Sequence, residues 1–206
     1  MLEPGWESRF EARIVAEFPL DLNDPAHDLA HFRRVVATAK RIGTEEKGRM
    51  EVIVPAAWLH DLVNVPKNDP RRSRASRLSA AAALAWLRDV GYPTELLEDI
   101  GHAIEAHSFS ANIEPRTLEA RIVQDADRLD GLGAIGLARV FAVSGLLRRQ
   151  LYDLDDPFAA EGRPLDDLRV TLDHFYTKLF LTARTLRTEA GRRIRETFVV
   201  GPGYAE

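Results

Sequence analysis

Cysteine is absent from the 206-residue sequence, and its absence excludes two kinds of site. The chain can form no disulfide framework, and it offers no thiolate to bind a metal ion. Any metal must therefore bind through nitrogen and oxygen atoms, which suits hard or borderline divalent ions. The sequence also lacks a glycine-rich phosphate loop, which disfavours a kinase or a P-loop motor.

Long apolar segments and an excess of positive charge are missing as well. The first ten residues, MLEPGWESRF, carry charged side chains where a signal peptide has an apolar core. No later apolar run approaches the roughly 20 residues of a membrane span. We therefore expect a cytoplasmic protein with no membrane partner. The formal net charge of -4 argues against stable nucleic-acid binding, which requires a basic surface.

Strand-like alternation and internal repeats are scarce, whereas helical periodicity is abundant. We predict one all-α domain over residues 1–206, a compact multi-helix bundle. Its metal-binding core is expected at about 20–150, with C-terminal helices at about 164–199 packed on it. The predicted helices lie at about 24–42, 50–63, 95–107, 118–130, 132–149 and 166–189, with a short one after Gly191. An alanine-rich helix is also predicted between the polar connection VPKNDPRRSRAS and Gly91.

Several local signals set the predicted helix boundaries. Asp24, Thr94 and Thr117 are expected to cap the helices that follow them, with Pro25 in the first helical position. Pro55 must either kink the second helix or mark its true start. The apolar segment at about 131–147 is either a buried helix or a homodimer interface, and we favour burial.

Five of the six histidines lie in the first 107 residues, close to acidic groups. His60 and Asp61 are adjacent within the apolar run AAWLHDLV, where a charged side chain is costly without a partner. A cation would supply that partner, although a hydrogen-bonded core histidine beside a structural aspartate is the simpler interpretation of an isolated pair. The metal hypothesis gains weight because His31 lies on a separate amphipathic helix, and because QDADRLD brings three further aspartates, at 125, 127 and 130.

The segments AHDLAHFRRV, WLHDLV and QDADRLD together resemble the HD-domain metal-dependent phosphohydrolase family. HAIEAHSFS, DADRLDGLGAIGLARVFAVSG and LDHFYTKLF are similar to a subgroup of small, stand-alone bacterial HD hydrolases. The resemblance implies that the metal ligands are His31, His60, Asp61 and Asp127. Asp127 is preferred to Asp125 because it occupies the family's place in the Ala-Asp-Arg-Leu run. We expect one divalent ion per chain, with Mn as the first choice and Mg, Fe, Co or Ni as alternatives.

Other polar residues are candidates for catalysis and substrate binding. Asp61 and His107 are the candidate catalytic residues, with Asp130 as a further candidate for proton transfer. For a polyanionic substrate the candidates are Lys67 and Arg71 in the basic connection, and His174 and Lys178 one turn apart near the C-terminus. Each has a plain alternative, namely a solvated loop or a surface pair. His27 is either a surface residue or a group that orients a ligand.

The resemblance implies a hydrolase that cleaves a phosphoanhydride or phosphoester of a nucleotide, with a nucleoside triphosphate as the first candidate substrate. A 5'-nucleotide monophosphatase is the close alternative. A second alternative, from a different class, is a regulatory HD module that binds metal without catalysis. The partner is then a small phosphorylated molecule, and the base and sugar are left open.

Overall fold

The computed structural model describes residues 2–18, 28–65, 69 and 71–199. Within this part the chain is helical and forms no β-strand, apart from one isolated bridge between Gln150 and Val170. The predicted all-α class is confirmed. The α-helices are α1 (Trp6–Glu17), α2 (Leu29–Glu45), α3 (Met50–Leu59), α4 (Ala75–Asp89), α5 (Leu97–His107), α6 (Leu118–Asp130), α7 (Gly133–Leu146), α8 (Phe180–Arg184) and α9 (Glu189–Val199).

The core forms where α2, α3, α5 and α6 pack on one another. Helix α3 lies at the centre, because every residue from Val52 to Leu59 is buried. Its neighbours α2 and α6 are amphipathic and turn one apolar stripe towards it. Pro55 is accommodated inside α3, and the helix ends at Leu59. The predicted continuation to residue 63 is therefore wrong, and His60 and Asp61 follow the end of the helix.

Of three predicted N-termini, one is corrected, one is confirmed and one lies outside the described residues. Helix α2 begins at Leu29, where the Asp28 side chain accepts a hydrogen bond from the His31 amide at 2.7 Å. The predicted start at Asp24-Pro25 lies outside the described residues. Thr94 opens a short 3-10 turn and makes no capping bond, so α5 begins only at Leu97. Thr117 caps α6 as predicted.

The segment at about 166–189, predicted to be one helix, is largely irregular. It forms turns, a π-helical turn over Phe175–Leu179 and the short α8. Asp173 binds the Arg163 guanidinium at 2.7 Å and the Asp166 amide at 2.7 Å. Bonds of this kind compete with helical hydrogen bonds, which explains why the apolar periodicity gave the wrong prediction here.

The prediction that the apolar segment 131–147 is buried is also wrong. In α7 only Gly136 and Ser144 are buried, and large apolar side chains such as Ile135 and Phe141 are exposed. The helix is apolar on all sides, but α6 and α7 meet at a 66° bend, so that one side of α7 faces the bundle. Among the described residues no single helix is long and apolar enough to span a membrane, while bent α6 and α7 together meet the length and composition test.

Candidate metal centre

Three helices bring the predicted ligands together. His31 comes from the first turn of α2, His60 from the end of α3, and Asp127 from the last turns of α6. The Nε2 atoms of His31 and His60 are 3.2 Å apart. Asp127 Oδ1 lies 3.8 Å from the first and 3.7 Å from the second. Asp61 Oδ2 lies 3.8 Å from His60 Nε2, so His60 links Asp61 to the group formed by His31 and Asp127.

His107, at the end of α5, closes the group from the opposite side. Its Nε2 atom lies 3.4 Å from Asp61 Oδ1, and its ring stands edge-on to His60. His60, Asp61 and His107 thus offer a second set of three donor atoms close enough for one ion. His107 therefore stands at the centre, as expected of a candidate catalytic residue.

Hydrogen bonds on the far side of each imidazole determine which nitrogen carries a proton. His60 Nδ1 donates to the Ala57 carbonyl at 2.8 Å, and His107 Nδ1 donates to the Ile104 carbonyl at 2.6 Å. Because a carbonyl oxygen only accepts, Nδ1 must bear the hydrogen in both rings. In the neutral ring the Nε2 lone pair is then directed into the centre, as a metal ligand requires.

The donor set fits a divalent cation. Burial lowers the pKa of His60 to about 4, so its ring is neutral near pH 7. Burial alone would raise the pKa of Asp127, but the charges of the surrounding histidines outweigh it, and the carboxylate is ionised. The two Nε2 atoms, 3.2 Å apart, can share a hydrogen bond when one of them is protonated, or face a cation that lies between them. Two imidazoles and two carboxylates match the nitrogen and oxygen ligands expected in the absence of thiolates.

Asp130 holds His31 in place from behind. Its carboxylate accepts from His31 Nδ1 at 2.8 Å and from Arg34 Nε at 2.6 Å, and it also contacts Arg139. Burial would raise the pKa of Asp130, but these donors outweigh burial and hold the pKa far below its usual range. Because its oxygens are already engaged by these donors, Asp130 orients a ligand rather than transferring a proton to the substrate.

The neighbouring Asp125 has a different role. Its carboxylate accepts hydrogen bonds from the Arg187 amide at 2.9 Å and the Thr188 amide at 2.7 Å, which fixes the chain entering α9. His102 accepts a bond from the Arg116 amide at 2.9 Å and is not part of the centre. The geometry therefore agrees with the choice of Asp127 over Asp125.

A cleft of about 570 Å³ opens onto the centre. His174 and Lys178 line it, and their role in substrate binding stays a prediction. Arg71 does not line it, and its guanidinium instead binds Asp69 at 2.8 Å on the surface. Lys67 and His27 lie outside the described residues.

Sequence reasoning missed most of the positive charge in this cleft. Arg128, Arg139 and Arg149 line it beside Lys178. Arg128 and Lys178 each lie 5.9 Å from the centre of the Phe109 ring. Arg128 and Phe109 lie within the segments DADRLD and HSFS, so inspection of those segments offered a signal for them. No sequence signal pointed to Arg149, because irregular chain brings it to the cleft.

Comparison with known proteins agrees with this geometry. The family model described as "HD domain" matches residues 28–132, which include all four predicted ligands. The chain belongs to the HD-domain family. An uncharacterized protein of Bacillus subtilis, YpgQ, is 32% identical over 174 residues, covering 82% of this chain and 76% of its own.

Solved structures of HD proteins share the fold. An HD-superfamily hydrolase from Bacillus thuringiensis has a TM-score of 0.68 and 29% identity, covering 93% of this chain and 88% of its own. B. subtilis YpgQ in complex with ADP has a TM-score of 0.68 and 27% identity, covering 94% and 91%. The similarity therefore extends beyond the HD segment into the C-terminal part.

Proposed function

We propose that this HD-domain protein is a metal-dependent phosphohydrolase that cleaves a phosphoanhydride or phosphoester of a nucleotide, with a nucleoside triphosphate as the preferred substrate. The observation that carries the proposal is the pair of donor groups that share His60, namely His31, His60 and Asp127, and His60, Asp61 and His107, beside a cleft lined by cations. A site for a divalent ion beside a site for phosphate oxygens is the arrangement that phosphoryl transfer to water requires.

These four ligands would hold one divalent ion, with Mn as the first candidate and Mg, Fe, Co or Ni as alternatives. When bound, such an ion lowers the pKa of a coordinated water from about 15.7 towards neutrality and polarises a phosphoryl oxygen. The four protein ligands leave room for water and substrate, since ions of this class accept six. His31, Asp61 and Asp127 line the cleft, so a substrate bound there would reach an ion held by these residues.

Asp61 and His107 are placed for proton transfer. Burial alone would lower the pKa of His107, but the hydrogen bond and charge of Asp61 raise it overall. In its protonated form, His107 would carry a proton on Nε2 that it can donate to the leaving oxygen of the substrate. Asp61 accepts from His107 and also faces His60, so it orients the donor while serving as a ligand.

The cleft cations would bind the phosphate chain. Lys178 offers a point charge, and His174 is held by Asp167 through a 2.9 Å hydrogen bond. Arg128, Arg139 and Arg149 add further charge around the same volume. Several cations suit a polyphosphate better than a single phosphate, which favours the triphosphate over the 5'-monophosphate. The ADP in the YpgQ complex supports a nucleotide ligand.

The test measures release of phosphate and pyrophosphate from nucleoside mono-, di- and triphosphates with Mn²⁺ present. We expect the wild-type chain to release pyrophosphate or phosphate from triphosphates, and Asp127→Asn to lose this activity. Asp89→Asn, at the end of α4 and away from the cleft, is the matched control and should retain it.

The products separate the alternatives. Phosphate released from monophosphates alone would replace the triphosphate proposal with a 5'-nucleotide monophosphatase. Metal bound by the wild type and lost in Asp127→Asn, with no turnover under any metal, would identify a regulatory HD module. Turnover that is unchanged in Asp127→Asn would refute the assigned site.

A further inference from the structure

A second pocket, of about 430 Å³, lies outside the metal cleft and shares no lining residue with it. It forms where the end of α8 and the chain entering α9 meet the start of α6. Four of its lining residues are arginines. The lining consists of Glu114, Arg121, Arg184, Thr185, Leu186, Arg187 and Arg192.

The positive charge of this pocket is only partly neutralised. Arg187 pairs with Glu114 at 2.9 Å, and Glu114 is the one acidic residue in the lining. Arg121 donates to a backbone carbonyl at 3.2 Å, which carries no net charge. Arg192 does the same at 3.0 Å, and it also lies 3.4 Å from Glu189 on its own helix. Within the described chain, the guanidinium of Arg184 makes no hydrogen bond or ion pair.

Hydrogen bonds to side chains of α6 hold the backbone that carries Arg187 and its neighbours. Asp125 accepts from the amides of Arg187 and Thr188, and Arg128 donates to the Thr185 carbonyl at 2.9 Å. The guanidinium groups are therefore presented by fixed chain, which reduces the entropy lost when an anion orders them. Arg128 also lines the metal cleft, so its side chain separates the two volumes.

We propose that this pocket is a second anion site, which binds a small polyphosphate, either free or as the phosphate chain of a nucleotide. Guanidinium forks match phosphate oxygens in pairs, and several forks around one volume suit a ligand with more than one phosphate. The chain as a whole is negative, so this cluster is a local reversal of charge and not part of a generally basic surface. The site is independent of the proposed hydrolysis, because no ligand of the metal centre lines it.

The test titrates inorganic tripolyphosphate into the full chain, with EDTA present, by isothermal calorimetry. We compare the wild type with Arg184→Gln/Arg187→Gln and with a control pair, Arg77→Gln/Arg88→Gln. The control removes the same charge from α4, where both arginines are exposed. We expect two binding events in the wild type and the control. In the pocket variant one event should weaken at least about tenfold, because two charged hydrogen-bond donors are removed from the pocket.

A variant with the opposite expected effect guards against misfolding. Glu114→Gln removes the competing carboxylate and should tighten the same event. Amide NMR shifts on titration should move at residues 185–187 and 192 as well as at the cleft. Tripolyphosphate binding that is equal in the pocket and control pairs, or shifts confined to the cleft, would overturn the site.

Two further ligands identify the source of the phosphate. ATP binding at residues 185–187 more tightly than tripolyphosphate would identify a nucleotide, and equal affinity would identify the polyphosphate alone. A single-stranded oligonucleotide that displaces tripolyphosphate at lower concentration than ATP would replace the proposal with nucleic-acid binding.

Discussion

Replacing Asp130 with asparagine tests whether the group behind His31 prepares it as a ligand. The carboxylate receives four N–H groups, one from His31, two from Arg34 and one from Arg139. Asparagine is neutral and offers one acceptor oxygen, so Arg34 and Arg139 both lose their anionic partner and some donors face an NH₂ group. His31 then loses the charge that fixes its tautomer and makes Nε2 more basic.

Loss of such a partner commonly reduces metal affinity by about 10–100-fold, which corresponds to about 1.4–2.7 kcal/mol. We therefore expect the Mn²⁺ dissociation constant of Asp130→Asn, measured by calorimetry on the intact chain, to rise within that range. The control is Asp99→Asn, because Asp99 also binds an arginine, Arg49 at 2.7 Å, but lies away from the centre. Unchanged Mn²⁺ affinity in a folded Asp130→Asn protein would refute the assignment of Asp130 as the group that positions His31.

Four further predictions follow from described contacts. Asp125→Ala should lower the free energy of unfolding by about 3 kcal/mol, because buried amides lose their acceptor. Its Mn²⁺ affinity should stay within a factor of two or so. Denaturant titration checks the stability and calorimetry checks the affinity, and a large loss of affinity would contradict the structural role. Arg163 lowers the pKa of Asp173, so that the Asp173 carboxylate stabilises the fold above its unfolded pKa of about 3.9, and this contribution is lost as the pH falls through the lower folded value. The stability difference between wild type and Asp173→Asn should thus shrink below about pH 4 in urea titrations, and a constant difference would contradict the linkage. Gly136→Ala should lower the free energy of unfolding by about 1–3 kcal/mol, because the added methyl group meets the Gly131 backbone in the α6–α7 turn. An unchanged melting temperature would show that the turn can shift. Lys178→Gln should raise KM for the nucleotide substrate about tenfold, because Lys178 lines the cleft. Arg71 lies outside the cleft, so Arg71→Gln should leave KM unchanged, and equal effects of the two substitutions would contradict the assignment of Lys178 to the substrate site.

The sequence predicted those parts of the fold whose cause is local. Helix α6 begins at Leu118 because Thr117 caps it, and both were evident from residue type and periodicity. The burial of Leu59 and Leu62 around His60 and Asp61 likewise follows from the apolar run in which they lie. The grouping of His31, His60, Asp61 and Asp127 was predicted through the family resemblance, because sequence spacing alone does not bring three helices together.

What sequence reasoning missed depends on tertiary contacts. The exposure of α7 depends on the bend that follows Asp130, and in a segment whose only charged residue is Arg139 the apolar periodicity does not indicate which side faces the bundle. The irregular chain before α8 is held by bonds such as Arg163 to Asp173, whose partners lie ten residues apart. Arg139 and Arg149 reach the cleft only because of these two features, so their place at the site could not be predicted.

The three aspartates of α6 show how the register of one helix separates three tasks. Each residue of an α-helix is rotated by about 100° about the helix axis from the one before it. Asp127 is therefore rotated by about 200° from Asp125, and Asp130 by about 300° from Asp127, which is the same as about 60° in the opposite sense. One direction leads to the start of α9, one to the metal centre and one to the back of His31. Inserting a single residue between Asp125 and Asp127 would rotate Asp125 by about 100° relative to Asp127 and Asp130. Asp125 would then no longer face the start of α9 while the other two keep their directions, although the number of acidic residues is unchanged. In this helix, spacing carries the information that residue identity alone does not, and length changes should be tolerated less well than many substitutions.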